Sequence, residues 1–161
     1  MALVAGWDIG TTSAWVALDE DSGEVAGHGE VEFIRDGQTW DDCDRAFAGA
    51  RALRRAADAL GTEVIAVMFA GEFMGRNPRG SLQIARRRGH LEVATMAVLG
   101  GVASDVRSAM SLRAALGFPR PKVDAHAALV QRHPEVAALS EHERDAFVAA
   151  RVLFEQGLVR E

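Results

Sequence analysis

The order of hydrophobic periods in this sequence predicts an α/β layered domain, a mixed five-stranded sheet with helices on its faces. Three observations carry that expectation. Residues 3–34 hold three short apolar or alternating runs separated by turn residues. From Thr39 onward the apolar spacing lengthens to three or four residues, the period of a helix. Val64 to Phe69 is nearly all apolar and lies between two helical stretches, as a strand buried on both faces does.

Each element has a local reason. Leu3 to Trp7 and Ser13 to Leu18 are apolar runs either side of Gly10-Thr11-Thr12, so they form a hairpin. Asp19 to Gly23 is a second turn, and the later part of Glu24 to Ile34 is a third strand whose charges and glycines suit a sheet edge. Thr39 to Leu60 is an amphipathic helix with the stripe Trp40, Cys43, Phe47, Ala50, Leu53, Ala57, Leu60, ended by Gly61. Val64 to Phe69 is the fourth strand. Ser81 to Leu99 is a long helix, apolar over much of its second half, which is either sandwiched in the core or covered by a second subunit. Gly100-Gly101 breaks the chain before a fifth strand over Val102 to Val106. Short helices follow at Ser108 to Leu116 and Val123 to Arg132, separated by the proline-bearing loop 117–121. Ser140-Glu141-His142-Glu143 is a capping box that opens the last helix.

Composition narrows the class. The 161 residues suffice for one domain with a real core, and one domain over 1–161 is expected. No apolar run approaches the roughly 20 residues of a membrane span, so a cytoplasmic protein without membrane partners is expected. Cys43 is the single cysteine, which leaves no disulfide and no structural zinc cluster. The net charge of -5 argues against indiscriminate binding to nucleic acid, yet its distribution is uneven. Arg76, Arg79, Arg86, Arg87 and Arg88 share a stretch without acids, and Arg107, Arg113, Arg120, Lys122 and Arg132 follow. Such a basic middle suits a polyanion, although arginines on solvated helix faces give the same pattern.

The chemistry centres on Asp8, a carboxylate where an apolar strand runs out. Its charge calls for compensation, by a divalent cation or by capping the Gly-Thr-Thr turn. Glu72 stands just past the fourth strand, and His142 and Asp145 are three apart in the first turn of the last helix, on one face. If strands one and four are parallel neighbours, Asp8 and Glu72 emerge at the same edge and the last helix closes the cluster. Carboxylates with an imidazole suit Mg²⁺ or Mn²⁺, and two such ions suit phosphodiester hydrolysis. Each member also has a plainer reading: Glu72 paired with Arg76, Asp145 favoured by the helix dipole, His142 solvated.

Three blocks together resemble the RuvC family of Holliday junction resolvases in a short, phage-like form. They are Gly6-Trp7-Asp8-Ile9-Gly10-Thr11-Thr12-Ser13 with Trp15-Val16, then Glu72-Phe73-Met74-Gly75-Arg76-Asn77 with Arg88-Gly89 within the long helix, then His142-Glu143-Arg144-Asp145-Ala146. The resemblance spans nearly the whole chain. It implies a ribonuclease H-like fold, a homodimer joined through the helix over 81–99, and symmetric nicking of four-way DNA junctions with two Mg²⁺ or Mn²⁺ ions per site. Asp8, Glu72, His142 and Asp145 match the family's metal-binding positions, and Lys122 falls where members place a lysine near the scissile phosphate. Phe73 matches an aromatic used at the junction centre, and Met74, Arg76, Asn77, Arg79, Arg113 and Arg120 complete the implied DNA contacts. Phe73 and Asn77 lie two residues closer to the glutamate than in bacterial members. A second lysine upstream of Lys122 is absent, with Arg113 the candidate to replace it. The opening block also resembles the phosphate-binding start of actin-like sugar kinases, which needs a second domain. YqgF proteins share the opening but lack the aromatic and asparagine loop. A catalytically silent junction-binding protein on the same fold is the remaining alternative.

Overall fold

The computed structural model describes residues 1–34, 38–71 and 78–157. Strands β1 (Leu3–Asp8), β2 (Thr12–Asp19) and β3 (Val25–Glu32) form the antiparallel meander, followed by α1 (Thr39–Ala59) and β4 (Val64–Gly71). Then come α2 (Pro78–Leu99), β5 (Ala103–Ser108), α3 (Ala109–Ala115), α4 (Lys122–Arg132), a 3-10 turn over Pro134–Ala138, and α5 (Glu141–Gln156). The sheet order is β3-β2-β1-β4-β5, with β1 parallel to β4 and β4 parallel to β5. This is the expected five-stranded mixed sheet, with β3 at one edge and β4 buried inside.

Alternation along the strands divides the core into two. Leu3, Ala5, Trp7, Trp15, Val67 and Phe69 face α1 and α2. Val4, Val16, Leu18, Ala66, Met68 and Ala70 face α5 and the shorter helices. Gly6 belongs to the second face, and α5 lies so close to it that a Cβ there would overlap the Ala146 carbonyl and the Ala150 amide. Asp8, two residues further along the same face, is therefore carried to the first turns of α5.

Several boundaries differ from the sequence reading. The fifth strand runs to Ser108, α2 begins at Pro78, α4 begins at Lys122, and the 3-10 turn is an additional element. The buried stripe of α1 is Asp42, Ala46, Gly49, Ala50, Leu53 and Ala57, leaving Trp40 66% exposed. An acidic residue takes the inward place assigned to Trp40 because arginines of α2 meet it: Arg86 Nη2 lies 2.6 Å from Asp42 Oδ2, and Arg87 Nε lies 3.8 Å from Oδ1. Arg87 is itself buried and donates to the Ile34 carbonyl. On α2, Leu91, Ala94 and Thr95 face inward, while Leu82 and Val93 are exposed.

Candidate active site

The parallel pairing of β1 with β4 sets Asp8 opposite Ala70, so both strands finish at one edge. Carboxyl ends of parallel strands are where open α/β sheets place their ligands. The chain passes from Gly71 directly into Glu72, which lies outside the described residues together with Phe73, Met74, Arg76 and Asn77. The Gly-Thr-Thr turn is closed by Ser13, whose hydroxyl accepts from the Gly10 amide and donates to the Gly10 carbonyl. The capping role considered for Asp8 thus belongs to Ser13.

Helix α5 brings the other half. Its capping box forms as expected: the Ser140 hydroxyl accepts from the Glu143 amide, and Glu143 Oε2 accepts from the Ser140 amide. Two residues of β3 hold this turn from outside. His28 Nδ1 lies 2.6 Å from Glu143 Oε1, and the Ser140 hydroxyl donates to Glu30. With the turn fixed, His142 Nδ1 comes within 3.5 Å of Asp8 Oδ2. Asp145, one turn on, is buried, with its side chain 5% exposed.

Asp145 is surrounded by nitrogen groups. Lys122 Nζ is 2.7 Å from its Oδ2, His126 Nε2 is 2.9 Å from its Oδ1, and Arg113 Nη1 is 3.6 Å from the same oxygen. Lys122 also reaches Glu141, 3.1 Å away. Arg113 therefore stands beside Asp145 at the site, where it was considered as a replacement for the missing lysine. Arg79 and Arg120 are exposed, the first at the start of α2 and the second in the loop before α4. The sequence-level basic patch is largely spoken for: Arg86 and Arg87 pair with Asp42, and Arg88 pairs with Glu92 on its own helix.

These surroundings set the charges. Burial pushes the Asp8 carboxyl above its ordinary range, and the bond with His142 only partly offsets this, while the nearby Asp145 charge adds to it. His142 is pushed up in turn by its bond to Asp8, against the effect of its partial burial. Burial also works to raise Asp145, but the His126 and Lys122 hydrogen bonds outweigh it and hold the carboxyl low. Desolvation opposes the charge on Lys122, and its bonds to Asp145 and Glu141 more than restore it.

The donor chemistry suits an oxygen-seeking divalent cation: a carboxylate and an imidazole meet at a strand end with a second carboxylate nearby, and the charge of the largely buried Asp8 is incompletely compensated. Among the described residues no three His, Cys, Asp or Glu side chains converge tightly enough to form a ligand set by themselves. Asp8 with His142 and Asp145 with His126 are instead two adjacent pairs. His126 is the site residue that sequence reasoning missed.

A five-stranded mixed sheet in this order, with helices on both faces and Asp8 at the end of one of its two central parallel strands, is a ribonuclease H-like fold. Solved structures agree. RuvC of Thermus thermophilus in complex with Holliday junction substrate superposes with a TM-score of 0.74, at 18% identity over 94% of this chain and 92% of that one. A second Thermus thermophilus RuvC structure gives 0.65 at 19% identity, covering 93% and 92%. The yeast mitochondrial Holliday junction resolvase Ydc2 gives 0.61 at 10% identity, covering 95% and 76%. At these identities the likeness is one of fold. Neither a family model nor a curated protein sequence matches the chain.

Proposed function

We propose that this protein is a structure-selective DNA endonuclease that resolves four-way junctions by paired, symmetric, metal-dependent phosphodiester hydrolysis. The observation that carries the reading is the contact between Asp8, from β1, and His142, from α5, with Asp145 one turn further along that helix and close enough for its charge to act on Asp8, at the edge where the chain runs from β4 into Glu72. Asp8, Glu72, His142 and Asp145 would hold two Mg²⁺ or Mn²⁺ ions. Bound there, such ions would supply Lewis acidity for the attacking water and for the departing 3'-oxygen.

The chain's own residues do the rest. Lys122 and Arg113 bring positive charge to the scissile phosphate, and the partly exposed Lys122 is the one within reach of solvent. Arg79 and Arg120, with Arg76, Asn77, Met74 and Phe73, engage the junction arms and centre. A junction has two strands to cut, so two sites are needed. The outward face of α2, with Leu82 63% and Val93 64% exposed, is the surface through which a second copy would supply the other. Among the described residues no helix is long and apolar enough to cross a membrane.

Incubation with an end-labelled mobile four-way junction in Mn²⁺, Mg²⁺ or EDTA tests the proposal. Symmetric nicks in either metal and none in EDTA are expected. Binding that survives EDTA with no product in metal would identify a silent junction-binding protein instead.

A further inference from the structure

We propose that His126 is the positioning residue of the site: from the wall of a groove between α4 and α5 it anchors one oxygen of Asp145 and so aims the other at the cation. The inference rests on the nuclease reading above and adds to it a residue that no motif contains.

The geometry is that of a fixed donor on a buried acceptor. His126 is 8% exposed and Asp145 5%, and Nε2 lies 2.9 Å from Oδ1. An ionised carboxylate carries no proton, so the imidazole must donate, which places a hydrogen on Nε2. The two carboxylate oxygens then differ. Oδ1 faces His126 and Arg113, both largely buried, whereas Oδ2 meets, among the described residues, Lys122, whose side chain is 39% exposed on a flexible stem. A carboxylate tethered through one oxygen to a rigid ring keeps its plane, and the second oxygen is held on the side of Lys122, 2.7 Å away, where a cation could replace the ammonium. Metal ligands are commonly oriented by such outer partners, and losing one typically weakens metal affinity or activity about 10-fold to 100-fold.

The groove makes this testable. It has a volume of about 630 Å³ and is lined by Lys122, His126, Val130 and Glu141 among others. Trimming His126 to alanine opens the imidazole's place to this groove, where free imidazole can enter.

The experiment compares wild type with His126→Ala, His126→Gln and His126→Met, reading Mn²⁺ affinity by calorimetry, single-turnover cleavage of a four-way junction, and junction affinity in EDTA. His126→Ala and His126→Met are expected to bind Mn²⁺ about 10-fold to 100-fold more weakly. Cleavage should fall in parallel, with junction affinity unchanged. Free imidazole should restore His126→Ala, and His126→Gln, which keeps a donor, should retain most of the wild-type metal affinity. Wild-type Mn²⁺ affinity in His126→Met overturns the inference, as does a loss that neither imidazole nor glutamine repairs. If His126→Ala does not fold, the glutamine and methionine pair decides alone. A wild type that neither binds Mn²⁺ nor cuts a junction overturns the nuclease reading first, and this inference with it. A cutting wild type with indifferent variants overturns only the role of His126.

Discussion

Gly6→Ala places one methyl group between the sheet and the helix that together form the site. The added Cβ would lie 2.9 Å from Ala149 Cβ and nearer still to the Ala146 carbonyl and Ala150 amide. Carbon atoms pack best at about 3.5–4.0 Å, and backbone cannot step aside as a side chain can, so α5 must retreat from β1 by about 1 Å. Overpacking of this kind costs about 1–3 kcal/mol. The functional effect should be larger than the stability loss implies, because His142 and Asp145 ride on α5 while Asp8 stays on β1. A displacement of about 1 Å between catalytic groups can cost about 100-fold in rate. Urea unfolding gives the first quantity, and single-turnover cleavage of a four-way junction by the folded variant gives the second. Junction affinity in EDTA should be retained. A variant that cuts at the wild-type rate would refute the claim that helix–sheet contact at Gly6 sets the site's geometry.

Asp8→Asn and Asp145→Asn should both abolish cleavage yet move stability in opposite directions, measured by thermal unfolding in EDTA. The folded protein holds the Asp8 carboxyl above its ordinary value, so folding disfavours its charge. Its contribution to stability is present below about pH 4 and lost as pH rises through the folded value, and the amide should raise Tm at pH 7. Asp145 is held low, so its contribution is present above about pH 4 and lost as pH falls through the folded value. The amide there should lower Tm at pH 7. The same sign for both would contradict the charge assignment. Asp42→Ala leaves Arg87 buried without its partner and should cost about 3–5 kcal/mol in urea unfolding; an unchanged midpoint would show that the pair is dispensable. Arg79→Ala and Arg120→Ala should weaken junction binding and each reduce the salt slope by about 1, without altering Mn²⁺ affinity. An unchanged slope would remove that arginine from the DNA surface.

The hairpin, the capping box and the buried fourth strand were legible because each rests on neighbours in sequence. The parallel pairing of the first and fourth strands was legible too, and it sets Asp8 at the edge that the last helix meets through His142. His126 was not, because on α4 it has no local pattern around it, and its meaning comes from Asp145 on another helix. The Asp42 and Arg87 pair carried a signal that was passed over. Asp42 falls in phase with Ala46, Gly49 and Leu53, and Arg87 with Leu91 and Ala94, so each charge stands on a buried stripe. Two opposite charges in such places imply that their helices meet. Counting Arg86 to Arg88 with a DNA-binding surface overlooked that phase. Trp40 misled in the opposite way, since its bulk and apolarity suggested core while the helix turns it to solvent.

Manganese binding followed by electron paramagnetic resonance tests the central claim, that residues from three distant stretches of chain hold the same cations. Wild type should bind Mn²⁺, and Asp8→Asn, Glu72→Gln and Asp145→Asn should each weaken or remove that binding. Wild-type titrations from all three variants, or from Glu72→Gln alone, would mean that the edge of β1 and β4 is not where the metal is held.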